Sequence, residues 1–178
     1  MELLIRKATQ DDLDAAEEIY LEVLENEEKN GSYTNWQRGL YPTREVAEDA
    51  LKKDTLYMGI ADGKAAGCVI LNHVQPAEYA KLSWAYPAEG EEVLVIHTLC
   101  IRPSFAGHGF GKKFVSFSEQ TARTLGCRVI RLDTYEKNLP AIGMYTGLGY
   151  RYVGETDFNF HNVIQEVLKC YEKEIAVE

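Results

Sequence analysis

The stretch from Glu91 to Leu125 constrains this chain most. It opens with EEVLVIHTLCI (91–101), an almost wholly apolar run that suits a strand buried on both faces. Arg102-Pro103-Ser104-Phe105-Ala106-Gly107-His108-Gly109-Phe110-Gly111-Lys112 follows, with glycine at three alternate positions. Phe114, Phe117 and Leu125 then mark a helix from Phe110, which Gly126 ends. A buried strand therefore enters a glycine turn, and the turn opens a helix. The glycines let successive backbone N–H groups converge with no β-carbon in the way. With the helix dipole behind them, these donors form an anion site suited to phosphate or pyrophosphate. Lys112 and Lys113 add charge at its rim. By itself the turn implies no more than that.

Two phosphate motifs fail on this stretch. The dinucleotide pattern G-x-G-x-x-G would put its third glycine at Lys112. The pattern G-x-x-x-x-G-K-[ST] would put its first glycine at Ala106 and its hydroxyl at Lys113.

The rest of the chain alternates strands and helices. Residues 2–8 read as a strand. Thr9 and the acidic pair Asp11 and Asp12 open a helix that carries Leu13, Ala16, Tyr20, Val23 and Leu24 to about Glu25. A polar segment over 26–42 has a turn signal at Asn30-Gly31. Thr43 caps a second helix, to about Lys53. Residues 55–61 and 65–73 form strands around Asp62-Gly63, a hairpin signal. A loop spans 74–90. Beyond the glycine turn, 128–134 is a strand, 138–147 a short helix, and 149–154 and 167–175 two closing strands. The order implies one α/β domain over 1–178.

Composition excludes several classes. The formal net charge is −9, which argues against nucleic-acid backbones and anionic membranes as partners. Cys68, Cys100, Cys127 and Cys170 are widely spaced, so neither a disulfide framework nor a zinc or other metal site is expected. No apolar run approaches the roughly 18 residues of a membrane span, and MELLIRKATQ has no signal core, so a cytoplasmic protein is expected.

A second element follows at a set distance. Residues 138–150 read Asn138-Leu-Pro-Ala141-Ile-Gly-Met-Tyr145-Thr-Gly-Leu-Gly149-Tyr150. Together, the two elements resemble the GCN5-related N-acetyltransferase (GNAT) family. That family has Q/R-x-x-G-x-G/A at a strand-to-helix turn and N-x-x-A-x-x-x-Y-x-x-x-G-F/Y further on. Gly109 and Gly111 match the first pattern, and Asn138, Ala141, Tyr145 and Gly149 the second. The family's Gln or Arg falls on Ala106, a departure that implies weaker coenzyme binding. The resemblance is close over 93–154. It implies a mixed, mostly antiparallel sheet of about seven strands flanked by about four helices.

The resemblance also implies roles. Acetyl-CoA would be the cosubstrate and an amine the acceptor. Backbone around Ala106, Gly107, His108, Gly109, Phe110, Gly111 and Lys112 would hold the pyrophosphate. Asn138 and Ala141 would lie along the pantetheine arm. An N–H within Leu99, Cys100 and Ile101 would face the thioester carbonyl. Tyr145 would be the general acid for the departing thiolate. Strand alternation puts His97, Leu99 and Ile101 on one face, and His97 is a candidate base; Glu92, acting through a water, is the alternative. His73, His108 and His161 read as loop or strand-end residues.

The acceptor side is drawn more loosely. Glu25, Glu27, Glu28, Tyr33, Trp36 and Tyr41, with Trp84 and Tyr86 from the 74–90 loop, would suit a small cationic amine. A protein N-terminus, a lysine side chain, or a non-catalytic acyl-CoA-binding module are the alternatives. The closing strands could support a homodimer.

Overall fold

Seven strands and four α-helices build the chain, in a computed structural model that describes residues 1–160 and 163–176. They are β1 (Leu4–Lys7), α1 (Leu13–Asn30), α2 (Arg44–Lys52), β2 (Leu56–Ala61), β3 (Lys64–Asn72), β4 (Val93–Ile101), α3 (Phe110–Leu125), β5 (Val129–Tyr135), α4 (Leu139–Gly147), β6 (Arg151–Phe160) and β7 (Ile164–Glu174). The strand order is β1-β2-β3-β4-β5-β7-β6. Antiparallel ladders join β1 to β2, β2 to β3, β5 to β7 and β6 to β7, whereas β4 and β5 run parallel. This is the expected mixed, mostly antiparallel α/β sheet. His161 lies outside the described residues.

The chain forms two compact units. The first takes residues 1–32, 36–71 and 97–117, and the second takes 33–35, 72–96 and 118 onward. In the first, α1 and α2 cover β2 and β3. Leu13, Ala16, Ile19 and Tyr20 of α1 pack with Ala47 and Ala50 of α2 against Leu56, Met58, Cys68, Ile70 and Cys100. Thr9 and Asp12 close a capping box ahead of α1, and the Arg6 guanidinium grips Asp12 at 2.7 and 2.9 Å. α1 runs five residues past the expected Glu25. Glu25–Lys29 (2.5 Å) and Asn26–Asn30 (2.9 Å) pairs carry it on without apolar residues, and Gly31 ends it at φ +102°. The Asp62-Gly63 hairpin forms as read, both residues with positive φ.

Two glycines bring α3 close to the strands of this unit. A methyl at Gly59 would stand 2.5 Å from the Phe114 ring, and one at Gly67 2.5 Å from the Cys100 carbonyl oxygen. Phe114 is fully buried over them. Only a residue without a β-carbon allows this approach.

In the second unit the 74–90 segment is a packed strap carrying a 3-10 turn at Ala77–Lys81. Its Tyr79 and Ala88 are buried with Val93, Val95, Val129 and Cys170, and Trp84 donates its indole N–H to the Tyr79 carbonyl at 2.9 Å. Arg131 of β5, 4% exposed, stacks on Trp84 at 4.3 Å and donates to Gln75 and to the Tyr86 carbonyl. Its Nε stands 4.0 Å from the carboxylate of Glu172, which is 0% exposed and accepts from the Ala85 N–H.

Two expectations change. β4 is buried on both faces only over Val93–Ile96; beyond that His97, Leu99 and Ile101 are half-buried and alternate with buried Thr98 and Cys100. The closing strands extend far past the 149–154 and 167–175 expected, since β6 and β7 pair from Arg151 to Phe160. β6 is an edge strand whose outer half alternates exposed Glu155, Asp157 and Asn159 with buried Thr156 and half-buried Phe158. Among the described residues no helix is long and apolar enough to cross a membrane.

Candidate functional site

The first unit holds the glycine turn, His97 and Leu99–Ile101. Arg102 leaves β4, its N–H donating to the Ala66 carbonyl at 2.8 Å and its guanidinium paired with Glu18 and Glu22 of α1. A short 3-10 turn, Pro103–Phe105, follows. Phe105 is then buried against Phe110, the first residue of α3, with ring centroids 6.0 Å apart. These two rings fix the base of the turn. Gly107 and Gly109 above them have φ of +79° and +74°, and nothing stands within 4 Å of where a β-carbon would sit on either. The turn is thus open on its outer side and demands glycine for its shape.

The helix bond from Lys113 N–H reaches the Gly109 carbonyl at 3.3 Å. The amides of Phe110, Gly111 and Lys112 precede it and have no carbonyl one turn back. They form the donor set at the positive end of a 16-residue helix. His108 Nδ1 donates to the Ala106 carbonyl at 3.0 Å, which fixes the proton on that nitrogen. Ala106 is exposed and adds no polar group. Lys113 sits over the Phe110 ring at 5.4 Å.

On β4 the parallel ladder to β5 ends at the Ile96–Leu132 pair. Two residues later Thr98 has φ +48°, inside a strand, with its hydroxyl hydrogen-bonded to that of Tyr41. His97 is half-buried beside it.

The second unit holds Tyr145, Asn138, Ala141 and Glu92. Asn138 is the N-cap of α4: its side-chain oxygen accepts the Ala141 N–H at 3.2 Å. Capping accounts for one end of this amide and for the Ala141 N–H, while the Asn138 side-chain NH2 keeps its donors. Tyr145 is 5% exposed and meets Tyr150 edge-on at 5.6 Å. Burial, with the Asp133 carboxylate second, holds its phenol well above the ordinary value, so it carries its proton across the physiological range. Glu92 is exposed in a 3-10 turn. It accepts the Glu89 N–H at 3.2 Å and pairs with Arg128 at 3.3 Å, and these contacts hold its carboxyl below the ordinary range. His73 donates to the Val93 carbonyl at 2.8 Å, a strand-end role as expected.

The carboxylates expected to meet an amine on α1 already have partners. Glu25 pairs with Lys29, Glu28 with Arg38 at 3.0 Å, and buried Glu27 accepts from Ser32 at 3.0 Å. The second unit instead presents a cavity of about 570 Å³ lined by Tyr135, Glu136, Asp157, Phe158, Glu166 and neighbours. Glu166 accepts from Asn35 at 3.1 Å, and burial raises its carboxyl. Nearby Asp133 accepts the Tyr79 hydroxyl at 2.7 Å. Desolvation first, and the charge of Glu78 after it, overcome that hydrogen bond and push its carboxyl up to about 6. Sequence reasoning missed both carboxylates. Asp133 carried a signal, as an acid inside the apolar run Val129-Ile130-Arg131-Leu132.

The model of the Acetyltransferase (GNAT) family matches residues 13–150. An uncharacterized N-acetyltransferase of Methanocaldococcus jannaschii is 26% identical over 152 residues, 82% of this chain and 59% of that protein. Spermine/spermidine N(1)-acetyltransferase of Bacillus subtilis is 34% identical over 65 residues, 36% of this chain and 43% of that protein. The chain thus spans less than two thirds of the length of these curated relatives. Among solved structures, a GNAT-family acetyltransferase of Streptococcus agalactiae superposes with a TM-score of 0.81 at 23% identity, covering 97% of this chain and 95% of that one. The yncA protein of Salmonella typhimurium, solved with its cofactor acetyl-CoA, gives 0.71 at 15% identity, covering 100% and 96%. At these identities the likeness concerns the fold. Since the family model spans both the glycine turn and the Tyr145 helix, the chain belongs to the acetyltransferase (GNAT) family.

Proposed function

We propose that this protein transfers an acetyl group from acetyl-CoA to a primary amine, with a small molecule as acceptor. The observation that carries the reading is the glycine turn: an open, left-handed backbone cradle at the start of α3, in a chain of this family. The free amides of Phe110 to Lys112 fit a pyrophosphate.

In this reading the amine nitrogen attacks the thioester carbonyl carbon and a C–N bond forms. Charge moves onto the carbonyl oxygen, where a backbone N–H of Leu99–Ile101 donates to it. His97 takes the ammonium proton. We prefer it to Glu92 because the Glu92 carboxylate is already engaged and is a weakened base. The C–S bond then breaks and the sulfur leaves with the electron pair. Tyr145 donates to that sulfur. Its raised phenol is a reliable donor but a weak acid, so its main effect is the hydrogen bond as charge develops. The acidic cavity around Glu166 supports a cationic acceptor, and the polyamine acetyltransferase among the relatives points the same way.

The test is coenzyme A release from acetyl-CoA across a panel of spermidine, simple monoamines and peptides with free N-termini or lysines. A small amine should turn over, and Tyr145→Phe should lower the rate by about 100-fold or more. Wild-type rates in Tyr145→Phe would remove this tyrosine from the reaction. Ala106 favours a second reading, a module that binds acyl-CoA without turnover. That reading requires thermal stabilisation by acetyl-CoA and no release with any acceptor.

A further inference from the structure

Among the described residues, four other than glycine have φ in the left-handed region: Asn35, Asp54, Asp62 and Thr98. The first three are Asn or Asp outside the strands, the residue types that tolerate this conformation. Thr98 is different. It is β-branched, lies inside β4 and is 8% exposed. A φ of +48° is a strained conformation for a β-branched threonine. Something in the surroundings must impose the conformation.

The partner is Tyr41. Its hydroxyl and that of Thr98 are hydrogen-bonded to each other, which satisfies the buried threonine. Tyr41 is itself fixed. Its N–H donates to the Gln37 carbonyl at 3.0 Å, its carbonyl accepts from the Gln37 N–H at 3.2 Å, and its ring meets Trp36 edge-on at 5.7 Å. The α1–α2 connection therefore holds β4 at one point. That point lies two residues past the last β4–β5 ladder pair, immediately before Leu99. A left-handed residue in a strand rotates the following peptide plane, so the next N–H no longer points along the ladder.

We propose that Tyr41 is a positioning residue for acyl transfer, whose hydrogen bond to Thr98 holds the kink that aims the Leu99 N–H at the thioester carbonyl. The inference rests on the reading that this stretch of β4 faces the thioester. It assigns Tyr41 to the reaction geometry, where the sequence had offered it only as an acceptor-side aromatic.

The test uses Tyr41→Phe, Thr98→Val, their double variant, Thr98→Ser, and Thr98→Gly in the Tyr41→Phe background. Each is assayed with acetyl-CoA and the panel amine that wild type turns over fastest. Tyr41→Phe and Thr98→Val should each lower kcat by about tenfold, with KM for acetyl-CoA changed less than about twofold, since the phosphate turn is untouched. The double variant should be no worse than either single one. Thr98→Ser should keep most activity, and glycine at 98 should restore part of what Tyr41→Phe loses, because it adopts the kink without strain. With leucine labelled by nitrogen-15, acetyl-CoA should shift the Leu99 amide resonance in wild type and shift it less in Tyr41→Phe. Wild-type kcat in Tyr41→Phe, additive losses in the double variant, or no rescue by glycine would overturn the proposal. A wild type that releases no coenzyme A with any amine, and whose Leu99 amide ignores acetyl-CoA, would overturn the functional reading and this inference with it. An active wild type with an indifferent Tyr41→Phe would overturn the inference alone.

Discussion

Asp133 gives the sharpest quantitative test. Its carboxyl sits on β5 with the Tyr79 hydroxyl as its hydrogen-bond donor, and burial pushes it from 3.8 to about 6. The folded state therefore binds this proton more tightly than the unfolded chain does. Folding takes up a proton between about pH 4 and pH 6, so this group's contribution falls as pH rises through that window and is flat above it. A little over two factors of ten in proton affinity corresponds to about 3 kcal/mol of destabilisation at pH 8. At pH 4 the same linkage leaves only about 0.5 kcal/mol. Asp133→Asn keeps the shape and an acceptor for Tyr79 but has no charge to desolvate. It should be more stable than wild type by up to about 3 kcal/mol at pH 8, and nearly equal to it at pH 4. Urea unfolding at one-unit steps from pH 4 to pH 8, followed by circular dichroism, measures this directly. A gain of the same size at every pH, or a loss at pH 8, would refute the argument that desolvation dominates this site.

Three further outcomes are expected. Gly109→Ala should fold normally but bind acetyl-CoA about tenfold more weakly by calorimetry, because alanine at φ +74° costs about 1–2 kcal/mol to hold in the cradle shape. Gly67→Ala should destabilise by about 1–3 kcal/mol in denaturant unfolding, since its methyl would meet the Cys100 carbonyl oxygen, which is backbone and cannot swing aside. Arg131→Met should cost about 3–5 kcal/mol by leaving Glu172 buried without its counter-charge, and adding Glu172→Gln should recover part of that in the same assay.

Much of the fold was legible because local signals agreed with it. α3 runs from Phe110 to Leu125 as read: its apolar residues recur at helical spacing, and Gly126, at φ +75°, ends it. The Asp62-Gly63 hairpin likewise needs only local chemistry. The misses share a cause. The last five residues of α1 carry no apolar side chain, and the outer part of β6 alternates over only Thr156, Phe158 and Phe160; both are held by pairing that sequence does not display. The site divides the same way. The turn and the Tyr145 helix announce themselves by spacing. The Tyr79–Asp133 and Asn35–Glu166 contacts join residues 54 and 131 positions apart, and nothing in the sequence marks Thr98 as left-handed.

The bare backbone at Gly59 and Gly67 carries a constraint of another kind. Phe114 lies one helical turn into α3, pressed where only hydrogen atoms stand on β2 and β3. The height of the helix start above these strands is thus set by two absent methyl groups. Any side chain gained at either strand position would lift the turn that carries the Phe110–Lys112 amides. If those amides hold the coenzyme as proposed, drift at these two core sites is tied to its affinity, and selection on coenzyme binding acts on residues that no inventory of ligand contacts would include.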